Sequence, residues 1–330
     1  MARRWLKILL VGLLMLGLAG LSFVGIHLYR LQYLPMVPYG QPSVIVRLET
    51  STSATTFART LVGAHLISSE RWFLFLIRIE GLAPHLKAGI YQVNPGESAQ
   101  HFLFRVISGD VLTESFAIIE GTTQAQISPR LAQAPFLSYN ETDWMVVAPT
   151  KAEGLLLADT YHYNAGSSSR DLLVRAHANL EQYLEASWAG RTPGLPYKTP
   201  YQLLIVASIL EKETALPQEK RLISGVIVNR LRQYMPLQMD PTVIYGLGSA
   251  YTGPLTHDHL QVDSPYNTYR YRGLPPTPIA MVGRDAIDAA AHPTLTDYLY
   301  FVAKGDGSHI FSSTYEQQRQ AIARYLRKNT

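Results

Sequence analysis

The segment LLIVASILEKET, from Leu203 to Thr214, is the most informative stretch of the chain. Its apolar residues run around the whole helical circumference, so we predict a buried helix. The segment then ends in Glu211, Lys212 and Glu213. Two carboxylates at a helix C-terminus are disfavoured by the helix dipole, and burial raises a carboxyl pKa further. We therefore expect a core helix that carries a carboxyl group able to stay protonated near neutral pH.

Only one of the two carboxylates can face a given pocket, because helix positions two apart point in nearly opposite directions. Glu213 lies over the apolar Ile209 and Leu210, whereas Glu211 lies over smaller residues. The apolar neighbours favour Glu213 as a general acid, which needs a raised pKa. The alternative is that both carboxylates pair with basic side chains at the helix end and are purely structural.

The residues that follow predict a larger mixed α/β domain. A second helical pattern covers Pro217–Tyr234, and Asp240-Pro241 is a typical helix start with Asp240 as N-cap. Residues 251–279 are rich in Pro, Gly, Tyr, Thr and Asn, and a loop of this length in a compact domain is often functional. Two apolar runs flank Gly305-Asp306-Gly307, which predicts a hairpin.

Upstream of residue 120 the chain alternates short strand and helix patterns, which suit a small α+β module. Strands are predicted over Val44–Leu48, Gly89–Val93 and Phe116–Ile119, and a helix over Glu70–Ile79. Residues 31–41 contain Pro and Gly, and they predict a tether.

The N-terminus carries an uncharged run, Ile8–Ile26, that is long enough to cross a bilayer as a helix. Arg30 follows it alone, whereas the basic residues concentrate before it, at Arg3, Arg4 and Lys7. The positive-inside rule therefore places the N-terminus in the cytoplasm and the rest of the chain outside. A cleaved signal peptide is the alternative, since such peptides also join a basic start to an apolar run.

Composition excludes several kinds of chemistry. The chain has no cysteine, so disulfides, thiolate metal sites and a cysteine nucleophile are impossible. The net charge of +4 is not concentrated in a basic run, and we find no nucleic-acid motif. His257 and His259 flank Asp258 without the spacing of one helical face, so we expect no metal.

Two further segments offer polar and aromatic groups to a ligand. Gln238 and Asp240 flank a helix start, where polar groups can face a bound molecule. Tyr266, Asn267 and Tyr269 combine aromatic faces, which stack on sugars, with a hydrogen-bonding amide. The alternatives are an ordinary helix cap for Asp240 and a rigid surface loop for the other three.

Taken in order, these segments resemble the endolytic murein transglycosylase family, the YceG-like proteins. The resemblance rests on segments that keep the family's order and spacing: ASILEKET (207–214), VIVNRLR (226–232), LQMDPTVIYGLG (237–248), SPYNTYRYRGLPPTPI (264–279), AAAHP (289–293) and YLYFVAKGDGSHIFS (298–312). Upstream, AGIYQV (88–93), GDV (109–111) and IIEGTT (118–123) resemble the family's LysM-like module.

The resemblance implies an α+β fold with a single N-terminal transmembrane helix, a small LysM-like α+β module and a larger mixed α/β catalytic domain. The expected divisions are 1–30 for the cytoplasmic tip and anchor, 31–41 for the tether, 42–120 for the LysM-like module and 121–330 for the catalytic domain. The protein would lie in the bacterial cell (inner) membrane as a single-pass protein, with its catalytic domain periplasmic or otherwise extracytoplasmic.

The resemblance also implies a lyase that cuts the β-1,4 bond between N-acetylmuramic acid and N-acetylglucosamine within nascent peptidoglycan strands. The product end would be a 1,6-anhydro sugar, and the cut would terminate strand elongation. Glu213 would be the catalytic acid and base, because it matches the second glutamate of the family's E-K-E. Residues expected to bind the glycan or shape the cleft are Gln238, Asp240, Tyr266, Asn267 and Tyr269.

The expected partners are peptidoglycan strands and peptidoglycan synthases such as penicillin-binding proteins, with no cofactor and no nucleic acid. One alternative is a non-catalytic peptidoglycan-binding scaffold for those synthases. Another is hydrolysis in place of lytic cleavage. Two positions depart from the family pattern: Ala158 stands where a proline is common, and Gln318 aligns with a frequent histidine.

Overall fold

The computed structural model describes residues 2–325, with side chains from Arg4 onward. The described chain divides into two compact units. Unit 1 runs to Glu114 and includes Asn164–Gly166, and unit 2 contains the rest. Helices are combined with short two-stranded sheets, so the predicted mixture of helix and strand is confirmed.

Unit 1 is built around an antiparallel pair of strands covered by helices. Its elements in chain order are α1 (Ala2–Tyr33), β1 (Val44–Leu48), α2 (Ala54–Gly63), α3 (Glu70–Ile79), β2 (Gly89–Val93) and α4 (Ala99–Ser108). In the β1–β2 pair, Val44 lies opposite Val93 and Leu48 opposite Gly89. The core between these elements is aromatic, with fully buried rings at Phe57, Phe73, Tyr91 and Phe102.

The N-terminal helix α1 leads directly into the core of unit 1. Within residues 2–325 it is the one helix that is long and apolar enough to cross a membrane. Leu31 near its end is buried, as are Met36 and Val37 just beyond it. The Met36 N–H donates to the Glu97 carbonyl at 2.7 Å. The segment 31–41, predicted as a tether, thus contains side chains that pack in the core.

Unit 2 is mostly helical. Two of its strands overlap unit 1, since β3 starts at the last two residues of the first part of unit 1 and β4 ends at Asn164. The elements in chain order are β3 (Thr113–Ala117), α5 (Gln124–Ala132), β4 (Thr160–Asn164), α6 (Ser169–Gly190), α7 (Pro200–Glu213), α8 (Pro217–Arg232), α9 (Asp240–Leu247), α10 (Arg284–Ala291), β5 (Tyr300–Ala303), β6 (His309–Ser312) and α11 (Tyr315–Tyr325). Strand β3 pairs with β4, and β5 pairs with β6.

Helix α7 is the central element of unit 2, as its sequence predicted. Every residue from Leu203 to Leu210 is buried, because α6, α8, α9 and α10 all pack against it. The helix starts where Thr199 accepts a hydrogen bond from the Gln202 N–H at 3.2 Å, with Pro200 in the first turn. This packing holds the C-terminal end of α7, and therefore Glu213, in a fixed position.

The hairpin predicted around residue 306 is confirmed, with Tyr300 opposite Ser312 and Ala303 opposite His309. The strand predicted over Phe116–Ile119 was placed too far along the chain, since β3 covers Thr113–Ala117. The chain turns after Ile119, whose carbonyl accepts from the Thr122 N–H at 3.3 Å. Gly121 lies within this turn with a φ of +72°, so the strand does not extend through these residues.

Candidate active site

Glu213, the last residue of α7, has a carboxyl group that is held without a partner. Its Oε2 atom is buried and accepts no hydrogen bond from any residue that the structure describes. Burial raises the pKa of Glu213 from its ordinary value of 4.5 to about 8. The charge of Asp240 contributes to this raised pKa, and the charge of Arg230 partly offsets it. The carboxyl group therefore keeps its proton at neutral pH, as an acid catalyst requires.

Glu211, two residues earlier, has both carboxylate oxygens bound by other groups of the protein. Its Oε1 accepts from Lys220 Nζ at 2.6 Å, and its Oε2 accepts from the Gly283 N–H at 2.9 Å. The side chains of Glu211 and Lys220 are only 4% and 6% exposed. The ion-pair alternative considered for both carboxylates thus holds for Glu211 alone, and the two glutamates have separate environments.

Asp240 opens α9 beside Glu213. The prediction that Asp240 is the N-cap was wrong by one residue, because Met239 occupies that position and the helix begins at Asp240 itself. Its Oδ1 accepts a hydrogen bond from the Tyr269 hydroxyl group instead of from the helix backbone. Asp240 lies close enough to Glu213 to raise the pKa of that carboxyl group.

Arg230 was not singled out from the sequence, although it is central to the site. It is buried in α8, and its guanidinium group donates to the carbonyls of Leu299 (2.6 Å), Pro236 (3.1 Å) and Leu237 (2.7 Å). The sequence feature that could have identified Arg230 is its position as a charged residue on the apolar face of a helix. Two of its carbonyl partners, at Pro236 and Leu237, follow α8 directly, whereas the third, at Leu299, is brought to it only by the fold.

Gln238 lies against Arg230. Its Oε1 accepts from Arg230 Nη1 at 3.2 Å, and its backbone N–H donates to the Thr268 carbonyl at 3.1 Å. The backbone φ of Gln238 is +53°, a conformation that side-chain-bearing residues adopt rarely. Gln238 therefore joins the start of α9 to the loop that carries Tyr269.

The loop residues predicted to face a ligand separate into two groups. Tyr269 binds Asp240, and burial followed by that hydrogen bond raises the pKa of its hydroxyl group. Asn267 is fully buried, and its amide bonds to the loop backbone at Leu260 O, Val262 O and the Tyr269 N–H. The side chain of Asn267 thus shapes the loop that presents Tyr269.

Tyr266 belongs to a neighbouring cluster around Glu153. Its hydroxyl group shares a hydrogen bond with Thr277 at 2.9 Å, and its ring meets Tyr245 edge-on with centroids 4.8 Å apart. The Tyr245 hydroxyl donates to Glu153 Oε2 at 3.1 Å. Burial raises the pKa of Glu153 as well. A cavity of about 410 Å³ is lined by residues of this cluster and by Lys212 and Pro241, the chain neighbours of Glu213 and Asp240.

Ala158 and Gln318, the two residues that depart from the family pattern, both form hydrogen bonds in the structure. The Ala158 N–H donates to the Val282 carbonyl at 2.8 Å, a bond that a proline could not make. Gln318 Nε2 donates to the Phe301 carbonyl at 2.9 Å and holds α11 against β5. Each substitution therefore has a structural role here.

Of the two histidines noted in the sequence, His259 bonds to the backbone of its own loop. His259 Nδ1 accepts from the Thr256 N–H at 3.1 Å. Over the described part of the chain, no group of three or more His, Asp or Glu side chains is placed to hold a metal ion.

The candidate site is therefore a carboxyl group of raised pKa at the C-terminal end of a core helix in an α+β protein. The sequence profile of the YceG-like family matches residues 46–324. The chain belongs to the YceG-like family.

Characterised relatives carry one name. An endolytic murein transglycosylase of Bacillus subtilis is 29% identical over 322 residues, which cover 88% of this chain and 87% of the relative. Endolytic murein transglycosylases from two strains of Streptococcus pneumoniae are 26% identical, and the alignments cover 89% of this chain but 60% of theirs. A crystal structure of a yceG-like protein from Listeria monocytogenes matches with a TM-score of 0.52 and 26% identity, covering 85% of this chain and 99% of that one.

Proposed function

We propose that this protein is an endolytic peptidoglycan lytic transglycosylase. It cuts the β-1,4 bond between N-acetylmuramic acid and N-acetylglucosamine inside nascent glycan strands and so ends their elongation. The relatives named endolytic murein transglycosylase support this activity. The observation that carries it is the half-buried carboxyl group of Glu213, whose buried Oε2 atom has no hydrogen-bond partner and whose pKa is about 8.

Glu213 performs both proton transfers of the reaction. As the neutral acid it protonates the glycosidic oxygen, which leaves as the hydroxyl group of the released sugar. As the resulting carboxylate it takes the proton from the muramyl C6 hydroxyl group, whose oxygen attacks C1. The C1–O bond to the leaving sugar breaks and the C1–O6 bond forms, so the product is a 1,6-anhydro end and no water is consumed.

The charges of the residues around Glu213 suit the two protonation states that this reaction requires. Asp240 raises the pKa of Glu213 and favours the protonated form that starts the reaction, and its negative charge stabilises positive charge developing at C1. Arg230 lowers the pKa of Glu213 and so stabilises the carboxylate formed after the first proton transfer. We assign Asp240 and Tyr269 to the glycan cleft, with Gln238, Asn267 and Tyr266 positioning its walls.

The decisive experiment digests purified sacculi with the Glu213→Gln variant and measures the products by mass spectrometry. We expect the wild type to give anhydro ends, which are lighter than reducing ends by one water, and the variant to give none. Glu185→Gln, on the exposed surface of α6, is the matched control and should retain full activity.

Other outcomes separate the rival functions. Reducing ends in place of anhydro ends would identify a hydrolase, in which Asp240 supplies the second carboxylate that such enzymes need. Strand binding without any product from the wild type would identify a non-catalytic scaffold. Undiminished anhydro product from Glu213→Gln would remove Glu213 from the mechanism.

We also propose where the protein works. The apolar helix α1 spans the bacterial cell (inner) membrane, with the basic N-terminus in the cytoplasm and the remaining chain outside. Residues 42–120 act as a LysM-like module and residues 121–330 as the catalytic domain, with 31–41 joining the anchor to the module. The partners are peptidoglycan strands and the synthases that polymerise them.

A further inference from the structure

Helix α3 exposes apolar side chains on its outer face. Ile79 is 62% exposed and Phe75 is 38% exposed. Trp72 lies on the same face, because positions 72, 75 and 79 follow the i, i+3, i+7 spacing of one helical stripe. The adjoining face packs Phe73, Leu76 and Ile77 into the core of unit 1. The apolar surface of helix α3 is therefore wider than the part that is buried within unit 1.

The exposed face of α3 is continuous with α1. The Trp72 ring stacks on His27, with centroids 4.5 Å apart and 8° between the planes. It also meets Phe23 edge-on at 5.7 Å, and Phe75 meets Trp72 edge-on at 5.8 Å. An aromatic surface thus runs from the side of α1 onto α3.

The length of α1 places this contact at one boundary of the bilayer. A hydrocarbon core is crossed by about 20 helical residues. Counted from Ile8, the first residue of the uncharged run, such a span ends at His27. Phe23 and His27 therefore lie in the last turns of the span, and Trp72 lies beside them. Tryptophan is enriched at this depth in membrane proteins.

The charges on α3 complete the pattern of an interfacial helix. Arg71 and Arg78 are both exposed and lie beside the apolar stripe. Arginines on the polar side of an apolar helical face are typical of helices that lie in the plane of a membrane, where they meet lipid phosphates.

We propose that α3 lies in the headgroup region of the membrane that α1 spans, with Phe75 and Ile79 at the acyl boundary and Arg71 and Arg78 at the phosphates. Unit 1 then rests on the outer surface of the bilayer through two elements, one that crosses it and one that lies on it. This inference depends on the proposed membrane-spanning role of α1.

The absence of cysteine from the chain makes a direct test simple, because a single introduced cysteine carries the only label. The full chain is placed in phosphatidylethanolamine/phosphatidylglycerol vesicles with a nitroxide at Ile79→Cys, Leu16→Cys or Glu49→Cys. Leu16 is exposed in the middle of α1, and Glu49 is exposed just past the end of β1. Collision with oxygen, which concentrates in lipid, is compared with collision with a water-soluble nickel chelate.

We expect Ile79 to behave like Leu16, with oxygen collisions dominant and nickel collisions lost, while Glu49 remains accessible to nickel. Nickel access at Ile79 equal to that at Glu49, with Leu16 still in lipid, overturns the inference and leaves the anchor intact. Loss of access to both reagents at Ile79 means that protein covers the face, and this also overturns it. Nickel access at Leu16 overturns the anchor and the inference together.

Discussion

Burial is the largest influence on the pKa of Glu213, and two side chains of opposite charge adjust it further. The contribution of each charge can be measured. Asp240→Asn removes the negative charge that raises the pKa of Glu213, so we expect this pKa to fall below about 8. The alkaline limb of the profile of kcat/KM against pH should move to lower pH. Asp171→Asn, an exposed change at the start of α6, is the control and should leave the limb in place. An unshifted limb in Asp240→Asn would show that Asp240 does not act on Glu213.

The raised pKa of Glu213 also makes a prediction about stability. In the unfolded chain Glu213 loses its proton near 4.5, whereas in the folded protein it keeps the proton up to about pH 8. Between these values the folded state binds more protons, so folding becomes less favourable as pH rises, by about 1.4 kcal/mol per pH unit at most. Glu213→Gln removes this penalty. Its stability relative to the wild type should therefore increase between pH 5 and 8 and be constant above, as judged by thermal unfolding of the full chain in detergent.

Sequence reasoning at this scale identified an acid and its environment but not the full site. The apolar residues one turn before Glu213 were sufficient to predict its raised pKa. The roles of Arg230 and Tyr269 were not accessible, because their partners lie on other helices and loops. Asn267 illustrates the same limit: its amide suits a sugar hydroxyl group, yet its three bonds go to backbone atoms of its own loop.

At the scale of elements, the pair Glu211–Lys220 joins the end of α7 to α8 and to the start of α10. Replacing Lys220 by Met leaves the Glu211 charge buried without its cation, which typically costs about 3–5 kcal/mol. We expect a marked fall in the midpoint of thermal unfolding for Lys220→Met. The double variant Glu211→Gln, Lys220→Met should recover part of this loss, because no charge is then left unpaired. Equal midpoints for the wild type and Lys220→Met would show that the pair is unimportant for stability.

Periodicity predicted α3, α7 and the strands β1 and β2 closely, and it misplaced β3. Helix α3 has the predicted bounds, and α7 ends one residue before the predicted limit. Apolar stripes and caps mark such segments locally. Strand β3 is different, because pairing with β4 and the turn at Gly121 decide where it ends. Likewise, the Pro and Gly of residues 31–41 give no sign that Met36 and Val37 are buried.

At the scale of the whole molecule, membrane attachment through α1 and glycan cleavage by unit 2 should be separable. Deleting residues 1–30 removes the proposed anchor and leaves unit 2 with its complete acid–base centre. We expect the shortened protein, exported to the same compartment, to release anhydro ends from sacculi at the wild-type rate. Its ability to restore a cell that lacks the gene should be weaker, because it is no longer confined to strands near the membrane. Full restoration of the cells would show that the anchor is dispensable.

The packing of Leu31, Met36 and Val37 has a consequence for the lifetime of the proposed membrane-anchored form. Proteases that shed ectodomains need several residues of extended, accessible backbone next to a membrane. Here the residues just after the helix are held by buried side chains and by bonds such as Met36 N–H to Glu97 O. Cleavage at this point requires part of the core of unit 1 to open first, so this junction resists shedding.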